Sequence, residues 1–301
     1  MIKVSVILPT YNSGGRLQQT LDSIFLQNGN GNEYSIELLV VDDCSTDDTC
    51  AILAQNGIQF RSTETNSGGP NKGRNIGLDH ATGDVICFID HDDIWHPDKL
   101  LRQLACITKH SIVSTAYTIA DSSGRQTVLR SAGIHNSTDF VRNETFLRLL
   151  SKSHRGQVAC PSTLMIRNAL KDVRFEEAFG MVDYDWKLRL FEHQSSAEIG
   201  IPLMTRFVNG NNLSLDNGYR KKDYYYSLMC LEDYEARYPR EVAAGRKRIE
   251  GSRARYFYLT GSMPSARRHF KKSPFDLKTI LYYCTTFYGN HFIKKHFRVF
   301  G

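Results

Sequence analysis

Three carboxylates in four residues, Asp90-His91-Asp92-Asp93, follow directly on the apolar run Val85-Ile86-Cys87-Phe88-Ile89. Bunched carboxylates repel one another, so something must offset their charge. A hard divalent cation with oxygen ligands, Mg²⁺ or Mn²⁺, does this while bridging protein carboxylates to phosphates. In extended chain Asp90 and Asp92 project to the same side, because side chains alternate with period two. A solvated turn, or a cap for the helix that Pro97 is expected to open, is the plainer alternative; the buried strand ahead of the acids favours metal. His91 and His96 flank them and read as turn or surface residues. A second acidic terminus, Asp42-Asp43, closes the run Ile36-Glu37-Leu38-Leu39-Val40-Val41. One acid there can cap the next helix, and the other can accept a hydrogen bond from a base N–H or a ribose hydroxyl. Such turns are also Asp- and Ser-rich for capping alone.

Two further segments could meet a nucleotide. Pro9-Thr10-Tyr11-Asn12 follows the first apolar run, where a Tyr at the rim of a crevice can stack on a base or simply pack. The loop Asn66-Ser67-Gly68-Gly69-Pro70-Asn71-Lys72-Gly73-Arg74-Asn75 leads into a helix carrying two cations, which suits a diphosphate. Neither the Walker A pattern nor G-x-G-x-x-G occurs, so ATPase and dinucleotide readings lose support.

These residues need elements to hold them. Apolar periodicity predicts a strand over 3–8 stopped by Pro9 and a helix over 15–27 with Leu17, Leu21, Ile24 and Phe25 on one face. A strand over 36–41, a short helix over 46–55 with Ser45 or Thr46 as N-cap, and a weaker strand at 58–61 follow. Then come a helix over 71–81 ended by Gly83, a strand over 84–89, a helix from Pro97 to about 109 and a strand over 112–117. Strands alternating with helices imply parallel pairing through right-handed crossovers, and ligands on such sheets bind beyond the carboxyl ends of the strands. The loops at 9–13, 42–46 and 90–95 should therefore line one crevice. Further on, the pattern predicts a turn at Asp121-Ser122-Ser123-Gly124, a helix near 138–151, a strand near 163–167, a helix near 183–193 and strands around 197–208.

The order and spacing of Pro9-Thr10-Tyr11-Asn12, Val40-Val41-Asp42-Asp43-Cys44-Ser45-Thr46-Asp47, Lys72-Gly73-Arg74-Asn75-Ile76-Gly77 and Asp90-His91-Asp92-Asp93 resemble those of the family 2 glycosyltransferases of bacterial polysaccharide synthesis. The resemblance covers about residues 1–215 and is tightest over 1–105. It implies a GT-A fold: a Rossmann-like, mostly parallel sheet flanked by helices. It also implies roles. Pro9, Thr10 and Tyr11 would line the donor's base pocket, Asp43 would bind the base edge, usually uracil, and Arg74 would sit by the donor. Asp90-x-Asp92 resembles the DXD motif, with Asp90 toward the ribose and metal and Asp92 holding Mn²⁺ or Mg²⁺ on the diphosphate; Asp93 is the substitute ligand. The family's catalytic base, which takes the acceptor's proton in an inverting displacement, matches Asp183 in Met181-Val182-Asp183-Tyr184-Asp185-Trp186, with Asp185 as fallback. Val182 stands where the family has Glu, which removes a substrate contact and not the base. An acid complementing the helix dipole is the other reading of Asp183. Asn209 stands where a His is common, and Gln-x-x-Arg-Trp, the mark of processive synthases, is absent. A nucleotide-sugar donor, a glycan or lipid-linked acceptor and non-processive transfer are thus implied. A non-catalytic sugar-nucleotide-binding protein and a sugar nucleotidyltransferase are the alternatives, although the four acids 43, 90, 92 and 183 count against a decayed site.

Composition sets the outer limits. The 301 residues carry 41% hydrophobic and 23% charged residues, ordinary for a globular chain. Seven scattered cysteines, none in CxxC, argue against a disulfide framework or a zinc cluster and for a reducing compartment. No apolar run suits a signal peptide or a membrane span. The net charge of +6 is uneven: residues 219–301 hold 18 Lys and Arg against 7 Asp and Glu, whereas residues 1–218 hold 20 against 25. The expected organisation is a catalytic domain over 1–215, divided into a nucleotide-binding half (1–117) and an acceptor-side half (118–215), and a basic helical region over 216–301. Cationic helices interleaved with aromatics suit the anionic inner face of a membrane, which would place the protein in the cytoplasm as a peripheral protein. Plain packing on the core is the alternative, and nucleic acid is not an expected partner.

Overall fold

The computed structural model describes residues 1–121, 123–133, 137–153, 156–208 and 216–288. The chain divides into two compact units, one of residues 1–146 and 155–219, the other of residues 147–154 and 220–301.

The first unit is built on a ten-stranded sheet. Strand β1 (Ile2–Thr10) is its centre, because a run of Val, Ile and Leu with no charged residue after Lys3 can be covered on both faces. It pairs in parallel with β2 (Tyr34–Asp42) and β4 (Val85–Phe88), and β2 pairs in parallel with β3 (Phe60–Ser62). The intervening helices are α1 (Leu17–Phe25), α2 (Thr49–Gln55) and α3 (Pro70–His80), each a crossover of the predicted kind. Helix α3 lies close on β1: a Cβ on Gly77 would stand 2.4 Å from Ile7 Cγ2, so only glycine allows this approach.

Beyond β4 the sheet becomes mixed. The expected mainly parallel sheet holds for its first four strands and gives way to antiparallel pairings after them. Strand β9 (Met165–Arg167) inserts antiparallel between β4 and β6 (Ile112–Ala120). The long β10 (Ser196–Phe207) runs parallel to β6 with register shifts at Pro202, one strand where several were expected. Two short strands pair antiparallel with β10: β5 (Asp93–Trp95), which was not expected, and β8 (Thr138–Phe140). Strand β7 (Gln126–Arg130) turns back on β6, with Asp121 Oδ1 accepting from the backbone N–H groups of Ser123 and Arg125 in the predicted turn. The helix expected over 138–151 is instead β8, a break at Asn143, whose φ of 68° no helix accommodates, and α5 (Glu144–Leu150). Helix α4 (Lys99–Ile107) starts two residues after Pro97, and α6 (Tyr184–Phe191) starts just after Asp183. Helix α2 begins later than expected, so neither Ser45 nor Thr46 is its cap; Asp47 Oδ1 accepts from Thr49 N instead.

One face of the sheet packs Val4, Val6 and Leu8 against α1 and α4 residues such as Leu21, Ile24 and Leu100. On the other, Phe88 meets the edges of Phe175 and Trp186, which stack on each other with centroids 4.1 Å apart.

The second unit contains α7 (Asn217–Glu232), α8 (Pro239–Leu259), α9 (Met263–Phe270) and α10 (Leu277–Thr285). Its small core joins Ala254 and Tyr258 of α8, Met263, Ala266 and Phe270 of α9 and Tyr282 of α10. Tyr224 and His269 both bond the Glu250 carboxylate, at 3.0 and 2.6 Å. Among the described residues no helix is long and apolar enough to cross a membrane. Residues 289–301, part of the basic segment, and Asn209 lie outside the described residues.

Candidate active site

Parallel strands β2, β1 and β4 end side by side, and their terminal loops meet there. The first two are cross-bonded. Asn12, at φ 45°, accepts from Thr46 N, its own N–H donates to Ser45 Oγ, and Asp43 N donates to Thr10 O. Thr10 Oγ1 donates to Asp42 Oδ1 at 3.0 Å, and Asp42 also accepts from the N–H and the hydroxyl of Ser45. Asp42 is thus the loop-building acid of the pair. Asp43 is buried as well: its carboxylate accepts from Thr63 Oγ1, from Ser67 N through both oxygens and from Ser67 Oγ, at 2.7 to 3.0 Å. Three donors of the 63–67 loop, one of them shared between both oxygens, thus already occupy most of this carboxylate's acceptor capacity. Pro9 and Thr10 are buried, whereas Tyr11 is 44% exposed at the rim.

The acidic cluster is held from below. Arg74 of α3 is buried at 3% exposure, with Nη2 2.6 Å from Asp90 Oδ1 and its guanidinium over the Phe175 ring. Arg74 thus sits against Asp90, and its charge acts on the crevice through that carboxylate. Ser162 Oγ accepts from Asp90 N, and Thr20 Oγ1 of α1 donates to the carbonyls of His91 and Asp93. Ser23 of the same helix and Gln27, two residues past its end, bond the backbone at Trp95 and His96. These side chains thereby satisfy the edge of β5, and the 90–96 segment stays fixed.

Electrostatics divides the three acids. Burial alone would raise Asp90, but the Arg74 guanidinium holds it below the ordinary carboxylate range. Burial pushes Asp92 up, and the Asp90 charge adds to this. Burial pushes Asp93 far up, followed by the charges of Asp90 and Asp92. Among the described residues Asp93 Oδ1 is buried with no hydrogen-bond partner. Among the described residues no group of three or more His, Cys, Asp or Glu side chains is arranged to hold a metal ion. An incomplete oxygen set whose buried members resist ionisation, one with an orphaned oxygen, fits a hard divalent cation that draws its other ligands from a diphosphate.

Asp183 is the N-cap residue of α6, and its Oδ1 pairs with Lys187 Nζ at 2.7 Å. Asp185 is tied to Arg189, one turn on. The Cys160 thiol ties Asp183 to the acidic cluster. Burial, together with the charges of Asp93, Asp90 and Asp183 and against that of Arg206, pushes it up to about 12. The charges of Asp90, Asp93 and Asp183 thus all act on the Cys160 thiol, whereas Asp43, Thr10 and Tyr11 sit at the neighbouring strand ends.

Arg206, Cys160 and Ser162 belong to this region and were not singled out from the sequence. Arg206 stands opposite Asp93 in the β10–β5 ladder. Burial works against its charge, but Cys160, Asp93 and Asp90 more than restore it. None of these three has a spacing signal, since Cys160 and Ser162 arrive on one short turn and Arg206 on β10; the carboxylates concentrated at 90–93 were the one hint that a buried cation would be needed.

The Glycosyl transferase family 2 model matches residues 5–174. The chain is 40% identical over 114 residues to the poly(ribitol-phosphate) β-N-acetylglucosaminyltransferase TarS of Staphylococcus aureus, a stretch covering 36% of this chain and 20% of TarS. It is 38% identical over 113 residues to the putative teichuronic acid biosynthesis glycosyltransferase TuaG of Bacillus subtilis, covering 36% of this chain and 43% of TuaG. The match thus spans between a fifth and under half of these relatives. The crystal structure of S. aureus TarS 1–349 in complex with UDP-GlcNAc superposes with a TM-score of 0.67 at 23% identity, covering 91% of this chain and 82% of that one, which shows a shared fold.

Proposed function

The chain belongs to glycosyl transferase family 2, and from that premise we propose that it transfers one sugar per encounter, with inversion, from a UDP-sugar to a glycan or lipid-linked acceptor of cell-surface polysaccharide synthesis. The observation that carries this reading is the placement of Asp90, Asp92 and Asp93 directly after β4, beside the ends of β1 and β2, with the charge of Asp183 acting on the same buried Cys160 thiol as those of Asp90 and Asp93. TarS, whose solved complex contains UDP-GlcNAc, supports a uridine nucleotide.

In this reading Tyr11 covers the uracil ring, Pro9 and Thr10 shape the floor of the base pocket, and Asp43 meets the base edge as the 63–67 loop yields a bond. Asp90 and Asp92 hold Mn²⁺ or Mg²⁺, with Asp93 in reserve; the ion, when bound, screens the charge of the departing diphosphate. Arg74 keeps Asp90 ionised and oriented. Arg206 is a second cation for the diphosphate. Asp183 is the base. Its Oδ1 is turned to Lys187, and Oδ2 makes no hydrogen bond among the described residues, which leaves it for the acceptor hydroxyl. The acceptor oxygen forms its bond to the anomeric carbon as the bond from that carbon to the diphosphate oxygen breaks. The acceptor's proton passes to Asp183, and the nucleoside diphosphate leaves with the bonding electrons.

The basic second unit supports a place at an anionic membrane face. Phe275 is 93% exposed, and Leu277, Leu281, Cys284 and Tyr288 form an exposed stripe along and just beyond α10, with Lys271, Lys272 and Lys278 exposed around it. Each such cation contributes about 1 kcal/mol near an anionic surface. Thermal-shift measurement with UDP-, GDP- and dTDP-sugars, with and without Mn²⁺, tests the donor reading. Stabilisation by a UDP-sugar that grows with Mn²⁺ is expected; no stabilisation by any of them contradicts it.

A further inference from the structure

Asp90 and Asp183 lie on elements far apart in sequence, yet a displacement reaction requires them to stand at a fixed separation. One side chain links both. Asn71, in the first turn of α3, has no exposed surface. Its Nδ2 donates to Glu176 O at 3.0 Å and to Val182 O at 3.1 Å, and its backbone N–H donates to Gly180 O at 3.2 Å. Its Oδ1 accepts from Arg74 Nη1 at 3.4 Å, and the same guanidinium holds Asp90 at 2.6 Å.

We infer that Asn71 is a positioning residue that sets Asp183 against the Asp90 carboxylate. The inference rests on Asp183 being the base. The chemistry of the site calls for an amide. Glu176 O and Val182 O can only accept, so the nitrogen must face them, and the guanidinium can only donate, so the oxygen must face it. Aspartate would supply the oxygen and not the donors; a shorter alcohol has one proton for two carbonyls. The segment it grips is also held where a Cβ on Gly69 would lie 2.5 Å from Gly180 C, so backbone meets backbone at the start of α3. Val182 is the residue before the base, and bonding its carbonyl fixes the peptide from which Asp183 departs. Asn75, one turn along α3, repeats the device by accepting from Phe175 N and donating to Phe175 O. Two successive turns of α3 thus hold the approach to Asp183, and only the first also touches the cation that holds Asp90.

The test compares Asn71→Asp, Asn71→Ala and Asp183→Asn by steady-state transfer, by UDP binding and by hydrogen exchange of the 180–183 amides. Asn71→Asp keeps an oxygen toward Arg74 and turns the other oxygen against two carbonyls. A shift of the base by about 1 Å costs about 100-fold. The expected result is a kcat lowered about 30- to 100-fold, KM for the donor and Kd for UDP within about twofold, and faster exchange at 180–183. Asn71→Ala, which loses both arms, should weaken UDP binding as well. A kcat for Asn71→Asp within about twofold of the parent, or equal losses in kcat and UDP affinity without local change in exchange, overturns the inference. Should Asn71→Asp fail to accumulate as folded protein, Gly69→Ala displaces the same peptides from the other side and must show the same split. If Asp183→Asn keeps full transfer, the base reading fails and the inference with it. If Asp183→Asn abolishes transfer while Asn71→Asp is unchanged, the inference alone fails.

Discussion

Replacing Asp90 with Asn removes one charge and almost no volume, so its effect isolates the ion pair with Arg74. At 2.6 Å and an effective dielectric of about 20, the pair's gross attraction is about 6 kcal/mol. The net effect is smaller, because Asp90 is a third exposed and its hydration offsets part of the attraction. Arg74 has the larger stake: it is 3% exposed, and its Nε already lacks a partner among the described residues. Stranding such a guanidinium costs about 3–5 kcal/mol when the site is fully buried, and about 2–3 kcal/mol is expected here after allowing for solvent at Asp90. For a unit of this size that lowers Tm by about 4–10 °C. The assay is thermal unfolding in EDTA, so that no divalent ion contributes. Arg74→Met/Asp90→Asn, which leaves no uncompensated charge, should return to within about 1 kcal/mol of the parent, making the two substitutions strongly non-additive. A single Asp90→Asn variant within about 0.5 kcal/mol of the parent would refute the claim that Asp90 neutralises Arg74.

Further outcomes follow from other sites. Lys99 is fully buried, with Nζ over the Trp95 ring and bonded to Gln103, and burial lowers its pKa to about 8 from 10.5. Between these values the unfolded chain holds more protons, so Lys99 contributes stability as pH rises from about 8 to about 10.5, a gain of about 3 kcal/mol. Lys99→Met should be more stable than the parent at pH 7, and this advantage should shrink as unfolding is measured at rising pH; a constant difference contradicts it. Cys44 holds φ 63°, so Cys44→Gly relieves left-handed strain and should raise stability by about 0.5–1 kcal/mol in chemical denaturation. Leu281→Glu on the outer face of α10 should lower co-sedimentation with anionic vesicles severalfold and leave UDP binding unchanged.

The parts of this architecture legible in the sequence are those written locally. The runs under β1, β2 and β4 are apolar and lead into Thr10, Asp42 and Asp90, so strands and crevice follow from periodicity, although β1 continues through Pro9, which was expected to stop it. The sheet's second half resists such reading. Strand β5 has three residues and exists because β10 pairs with it and because Thr20 and Ser23 of α1, and Gln27 just past it, satisfy its neighbourhood. The break at Asn143 depends on one backbone dihedral within a helix-compatible pattern. Arg74 shows the same limit at the site. Its cationic character is plain in the sequence, but its burial beneath Asp90 comes from the packing of α3 on β1 through Gly77. The chemistry of Asn71 is spread over contacts more than 100 residues away, to Glu176 and Val182, which no local spacing encodes.

The central claim is an inverting transfer with Asp183 as base. The most direct measurement supplies a UDP-sugar, Mn²⁺ and a polysaccharide or lipid-linked acceptor, follows UDP release, and reads the product's anomeric configuration by NMR. UDP release coupled to a glycoside of inverted configuration, absent in Asp183→Asn, is the predicted result. A product with retained configuration, release of pyrophosphate instead of UDP, or undiminished transfer by Asp183→Asn would contradict it.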